Sequence, residues 1–140
     1  TVIQQLTRDF NLPVSVVGHP TVRAQDNLAL SSRNSYLTPI EREAALQIPK
    51  ALEFARSQVS HNPEITVEEL LQKIQPLLSS QGLKPQYIEI SQTRALLPVK
   101  PEDRIRSLTL PHLFVAVYAG NTRLIDNVSL ATEALETIQF

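Results

Sequence analysis

The 140-residue chain balances 13 lysines and arginines against 14 acidic residues, for a formal net charge of −1, and 42% of its residues are apolar. That supports one domain, or one domain with a piece of another, and gives no basic excess for general nucleic-acid binding. No apolar run approaches the roughly 20 residues of a membrane-spanning helix, and with no cysteine disulfides, thiolate nucleophiles and thiolate metal sites are excluded; no charged-then-apolar leader opens the sequence, so a cytoplasmic protein is expected.

From the first residues Val2, Ile3, Leu6 and Phe10 recur at helical spacing with no N-cap before them. The chain is therefore expected to begin inside a helix and to be cut from something longer. Asn11-Leu12-Pro13 breaks that helix, and residues 14–17, Val-Ser-Val-Val, read as a short buried parallel strand. Helix, turn and buried strand read as the closing unit of an α/β sheet, most of which is expected outside this chain. Residues 1–20 are assigned to that unit and 21–140 to a second domain. Without its sheet the strand is expected to pair with a second copy or to fold onto the body.

Residues 19–37 read as a loop. Thr38-Pro39-Ile40-Glu41 then supplies an N-cap, a proline at the first helical position and a capping-box glutamate. The helix beyond it carries Ala45, Ile48, Leu52, Ala55 and Val59 on one stripe and runs to about Ser60. Pro49 predicts a kink near residues 45–49, because its ring crowds the carbonyl four residues earlier. A second capping box at Thr66-Val67-Glu68-Glu69 opens a helix that Gly82 should stop.

The period then changes to two. Tyr87-Ile88-Glu89-Ile90-Ser91 predicts a strand, and residues 94–112 a long surface connection. Residues 113–119 predict the strongest strand, and Gly120-Asn121 a two-residue hairpin into residues 122–128. A short tail helix over residues 130–138 is a weaker expectation. Two helices followed by three strands, the last two antiparallel, indicate an α+β domain.

The chemistry-bearing stretch is Leu30-Ser31-Ser32-Arg33-Asn34. Hydroxyls and main-chain N–H groups donate to phosphate oxygens, and the guanidinium adds a permanent charge in a planar fork. On these residues alone, the alternative is a solvated turn capping the next helix.

Context narrows the choice. The run Val17-Gly18-His19-Pro20-Thr21-Val22-Arg23, continued by Asp26-Asn27-Leu28-Ala29-Leu30-Ser31-Ser32-Arg33-Asn34-Ser35-Tyr36-Leu37, closely resembles the pantothenate synthetase (pantoate–β-alanine ligase) family. Near the other end, Gly120-Asn121-Thr122-Arg123-Leu124-Ile125-Asp126-Asn127 resembles that family's closing hairpin. The resemblance implies the C-terminal, ATP-closing domain of the ligase, preceded by the last helix and strand of a Rossmann-like nucleotidylyl-transferase domain that is otherwise missing. It also implies a two-step reaction. The pantoate carboxylate attacks the α-phosphate of ATP to give pantoyl adenylate and pyrophosphate; the amine of β-alanine then displaces AMP.

By the same resemblance Val22, Leu30, Ser31, Ser32 and Arg33 contact ATP, with Leu30 where the family often has methionine. No catalytic residue is implied in this chain, apart from charge stabilisation of the transition state by Arg33. ATP is a substrate, and Mg2+ is expected with it, its ligands not in this chain. The family's HxGH motif has no counterpart here, since His19, His61 and His112 lie far apart. The chain alone is therefore expected to be inactive. The implied parent is a homodimer acting on pantoate, β-alanine and ATP, with no nucleic-acid or membrane partner; in some members a cytidylate kinase follows on the same chain. The competing expectation is a folding or interaction module without ligand affinity.

The remaining polar residues read as structural. His61 and His112 are expected in exposed loops, and Tyr87 and Tyr118 as strand residues with half-buried rings. For Arg123 and Asp126 two readings stand, contact with substrate and, as the favoured one, a cross-strand or local charge pair near the hairpin.

Overall fold

The computed structural model describes residues 2–93 and 98–131. Its elements are α1 (Val2–Asp9), α2 (Pro39–Ala45), α3 (Gln47–His61), α4 (Val67–Leu78), β1 (Leu83–Gln92), β2 (Pro111–Ala119) and β3 (Thr122–Ser129), with 3-10 turns at Ser32–Tyr36 and Ile105–Ser107. The three strands form one antiparallel sheet in the order β1-β2-β3. Helices α3 and α4 pack on one face of it, the α+β arrangement the order of elements implied.

Both capping boxes form. Thr38 Oγ1 accepts from the Glu41 N–H at 3.3 Å while Glu41 Oε2 accepts from the Thr38 N–H at 2.8 Å. Thr66 and Glu69 make the same reciprocal pair at 3.2 and 3.0 Å. The expected kink is a full break at Leu46, which ends α2 and starts α3. The break places Pro49 in the first turn of α3, where its missing N–H would have had no partner within the helix.

The core lies between these helices and alternate residues of the strands. Leu113, Val115 and Val117 face inward with Ile48, Leu70, Ile74 and Leu78, all buried. The opposite face of the sheet carries Tyr87, Phe114, Tyr118, Arg123, Ile125 and Asn127, as the register requires. The Tyr87 and Tyr118 rings are half-buried, as expected.

Several sequence expectations change. Residues 14–17 form no ladder, and Val14 and Val17 stay exposed, Val17 at 81%; a parallel strand needs neighbours, and this sheet closes its pairing without one. The segment also fails to fold onto the body, and no residue of α1 is buried. Helix α4 ends at Ser79, and Gly82 instead turns the chain, at φ +81°, into a strand that starts at Leu83. Lys84-Pro85-Gln86 concealed that start, because the alternation is broken there by a bulge between Pro85 and Tyr87.

The connection before β2 is partly core. Ile105 is fully buried, and the carbonyls of Asp103 and Pro101 accept from the otherwise orphaned N–H groups of Val67 and Glu68 at 2.9 and 3.0 Å. His112 is not in an exposed loop: it lies half-buried in β2 with its ring stacked on Phe114, centroids 5.9 Å apart. His61 does lie exposed, closing α3. Of the expected tail helix, residues 132–138 lie outside the described residues.

Candidate functional site

Residues 22–30 form a small hairpin rather than an irregular loop. Val22 and Leu30 face each other, the Leu30 N–H donating to the Val22 carbonyl at 2.9 Å, and Ala24 donates likewise to Leu28 at 2.9 Å. Asn27 turns the chain at φ +67°, a conformation asparagine tolerates well. Leu28, only 3% exposed, plugs the hairpin into the core.

Charge fixes it further. Arg23 holds Asp126 on β3 with two bonds, Nη1 to Oδ2 at 2.7 Å and Nη2 to Oδ1 at 2.9 Å, and Nη1 also donates to the Asn27 carbonyl at 3.0 Å. Asp126 is 2% exposed at its side chain. The hydrogen bonds that Arg23 donates to Asp126 raise the guanidinium above its ordinary range, a gain that partial burial offsets only in part. At the tip, Asp26 pairs with Arg42 of α2 at 2.7 Å.

From this hairpin the chain enters the 3-10 turn. Ser31 caps it, Oγ accepting from the Arg33 N–H at 3.2 Å, and Ser35 Oγ donates to the Ser32 carbonyl at 2.7 Å. The turn-capping alternative is thus physically present. It leaves the Ser31 hydroxyl hydrogen, the Ser32 hydroxyl and the Arg33 guanidinium without a hydrogen-bond partner among the described residues. Asn34 Nδ2 donates to the Ala29 carbonyl at 3.0 Å, whereas its buried Oδ1 has no partner.

The turn packs against β3, and between them lies a cavity of about 540 Å³. Leu30, Ser31, Arg33 and Asn34 line one side; Tyr87, Phe114, Arg123 and Asn127 line the sheet side. The structure therefore brings three of the five expected residues to one cavity. Val22 and Ser32 lie beside it, exposed, without lining it. A second groove of about 560 Å³ lies between α4 and β1, and among the described residues its charged lining is Glu68 and Glu89.

Arg123 and Asp126 do not pair with each other. Asp126 takes Arg23, and Arg123 donates from Nε to Gln86 Oε1 at 2.7 Å with its guanidinium 6.0 Å from the Tyr87 ring centroid. Sequence reasoning missed Arg23 as an anchor. The residues sit next to the recognised motif, but nothing in a single sequence reveals a partner 103 positions away.

The site can be set beside known proteins. Residues 1–129 match the Pantoate-beta-alanine ligase family model. The pantothenate synthetase of Pseudomonas putida (strain GB-1) is 40% identical over 132 residues, covering 94% of this chain and 44% of that protein. The pantothenate synthetase of Sulfurihydrogenibium sp. is 45% identical over 130 residues, covering 91% and 44%. Among solved structures, the pantothenate synthetase of Thermus thermophilus superposes with a TM-score of 0.80 at 34% identity, covering 94% of this chain and 45% of that one. The pantoate-β-alanine ligase of Francisella tularensis, solved with beta-gamma ATP and β-alanine, gives 0.55 at 30% identity, covering 94% and 39%. This chain spans less than half the length of the relatives it matches. On the family match and these relatives together, the chain belongs to the pantoate–β-alanine ligase family.

Proposed function

We propose that this chain is the ATP-closing part of a ligase that condenses pantoate with β-alanine through pantoyl adenylate, and that residues 1–20 continue a nucleotide-binding domain. The observation that carries this reading is the Ser31–Ser32–Arg33 ledge, whose hydroxyl donors and guanidinium are, among the described residues, left uncommitted beside a cavity whose described carboxylate, Asp126, is taken by Arg23. In the first step the pantoate carboxylate oxygen bonds to the α-phosphorus, and the bond to the bridging oxygen breaks with its electron pair leaving on pyrophosphate. Arg33 stabilises that growing charge, while Ser31 and Ser32 donate to phosphate oxygens.

Val22 and Leu30 offer exposed apolar surface and main chain to the nucleotide. Mg2+ belongs with the ATP phosphates in this scheme. Among the described residues no group of three or more histidine, cysteine, aspartate or glutamate side chains is suited to hold it, and no step is routed through it. The amine of β-alanine then attacks the activated acyl carbon and AMP leaves.

The test is a chimera of the Pseudomonas putida relative in which the matched 132 residues are replaced by those of this chain. Pantoate-dependent exchange of labelled pyrophosphate into ATP should persist in it. Arg33→Ala should slow that exchange roughly 10- to 100-fold, the value of one charge-assisted contact. An unchanged rate would remove Arg33 from the chemistry. The purified chain alone should form no pantothenate; detectable product would overturn its role as a part.

A further inference from the structure

The cavity beside the Ser31–Arg33 ledge has a second cation on its opposite wall. Arg123 extends from β3 on the sheet face away from the helices, where the bulge at Gln86 lets two successive residues of β1 meet it. Gln86 takes its Nε hydrogen and the Tyr87 ring lies beneath the guanidinium, which orients the group while leaving its two terminal nitrogens without a partner among the described residues. Arg33, on the facing turn, is equally without a carboxylate within ion-pair distance among the described residues. The carboxylate that does line the cavity, Asp126, already has both oxygens on Arg23.

Two like charges on separate elements facing one space of about 540 Å³ repel unless an anion stands between them. A neutral ligand leaves both uncompensated, and a single compact anion satisfies one of them. An occupant with negative groups spread along its length satisfies both. We propose that Arg123 is a second phosphate-binding residue and that the cavity takes an extended polyphosphate, with Arg33 and Arg123 each holding one end. The proposal rests on the nucleotide reading of the ledge and extends it to a residue outside the Leu30–Arg33 motif.

The experiment uses this chain, 15N-labelled, titrated separately with inorganic tripolyphosphate, pyrophosphate and orthophosphate while backbone amide and arginine Nε–Hε resonances are followed. Tripolyphosphate should move the Nε–Hε signals of both Arg33 and Arg123 with one common affinity, and orthophosphate should bind at least tenfold more weakly. Arg123→Gln should weaken tripolyphosphate binding roughly 10- to 100-fold, as Arg33→Gln does, and flatten the salt dependence. Arg123→Lys keeps the charge without the fork and should fall between. Amide shifts remote from the cavity report whether each variant keeps the fold.

If Arg33→Gln weakens binding and Arg123→Gln does not, this inference fails and the nucleotide reading stands. Orthophosphate binding as tightly as tripolyphosphate also overturns it, making the cavity a single-anion site. No response of either arginine to any of the three anions overturns both readings together.

Discussion

Arg23 and Asp126, 103 positions apart in sequence, make a two-pronged ion pair that ties the hairpin carrying Val22 and Leu30 to the edge strand β3. The bond links the two stretches that carry the family resemblance. The carboxylate end is buried and the guanidinium end is partly open to water.

Removing one partner strands the other. Arg23→Ala leaves a buried, uncompensated Asp126 and should cost about 3 kcal/mol of unfolding free energy, measured by urea denaturation. Asp126→Ala should also destabilise the fold. The double variant should lose clearly less than the sum of the two, because the pair is one interaction. Additive losses would mean that the two residues stabilise the fold independently.

Leu28 is the apolar counterpart of that clamp. Leu28→Ala should destabilise by about 2–4 kcal/mol, the range for truncating a buried leucine, and should broaden the amide signals of residues 30–34 before those of β2. Uniform loss across the domain, with no early response at the ledge, would show that the hairpin is not anchored through this side chain.

Gly120 meets Glu41 at the hairpin tip. The residue holds φ +57°, and a Cβ built there would overlap the Glu41 carboxylate that closes the first capping box. Gly120→Ala should therefore cost about 1–2 kcal/mol through backbone strain and a displaced cap. In a Glu41→Ala background the same change should cost less, since one of the two penalties is already gone. An equal cost in both backgrounds would leave backbone strain as the whole effect.

Glu41 also sets an acid limit. Hydrogen bonds donated by the Thr38 backbone, then by its hydroxyl, hold the Glu41 carboxyl below its ordinary 4.5. A depressed folded-state value means that the stabilisation is complete above 4.5 and is lost as pH falls through the lower folded value. Glu41→Gln should therefore flatten the acid limb of the stability–pH curve while changing its slope little above pH 5. An acid limb as steep as in the parent would show that the loss comes from other carboxylates.

The sequence made the body of this fold legible wherever a local rule decides structure. Thr38 with Glu41 and Thr66 with Glu69 announce helix starts because their bonds span three residues. Gly120-Asn121 announces a hairpin for the same reason. Residues 14–17 misled because apolar content speaks for burial only when a sheet is there to receive it. The hairpin over residues 22–30 stayed hidden because its pairing is short and its turn residues polar. Leu30, Ser31 and Arg33, singled out by the motif, line the candidate cavity, whereas Arg23–Asp126 and the Arg123–Gln86 contact arise from tertiary approach, which periodicity does not encode.

The most direct test of the central claim is titration of the 15N-labelled chain with ATP, followed residue by residue. The account predicts shifts concentrated at Val22, residues 30–34 and the facing β3 residues Arg123 and Asn127, and their collapse in Arg33→Ala. No shifts at all would leave a module without nucleotide affinity, and shifts centred on Leu71, Ile88 and Val99 in the α4–β1 groove would place the ligand elsewhere; either result contradicts the account.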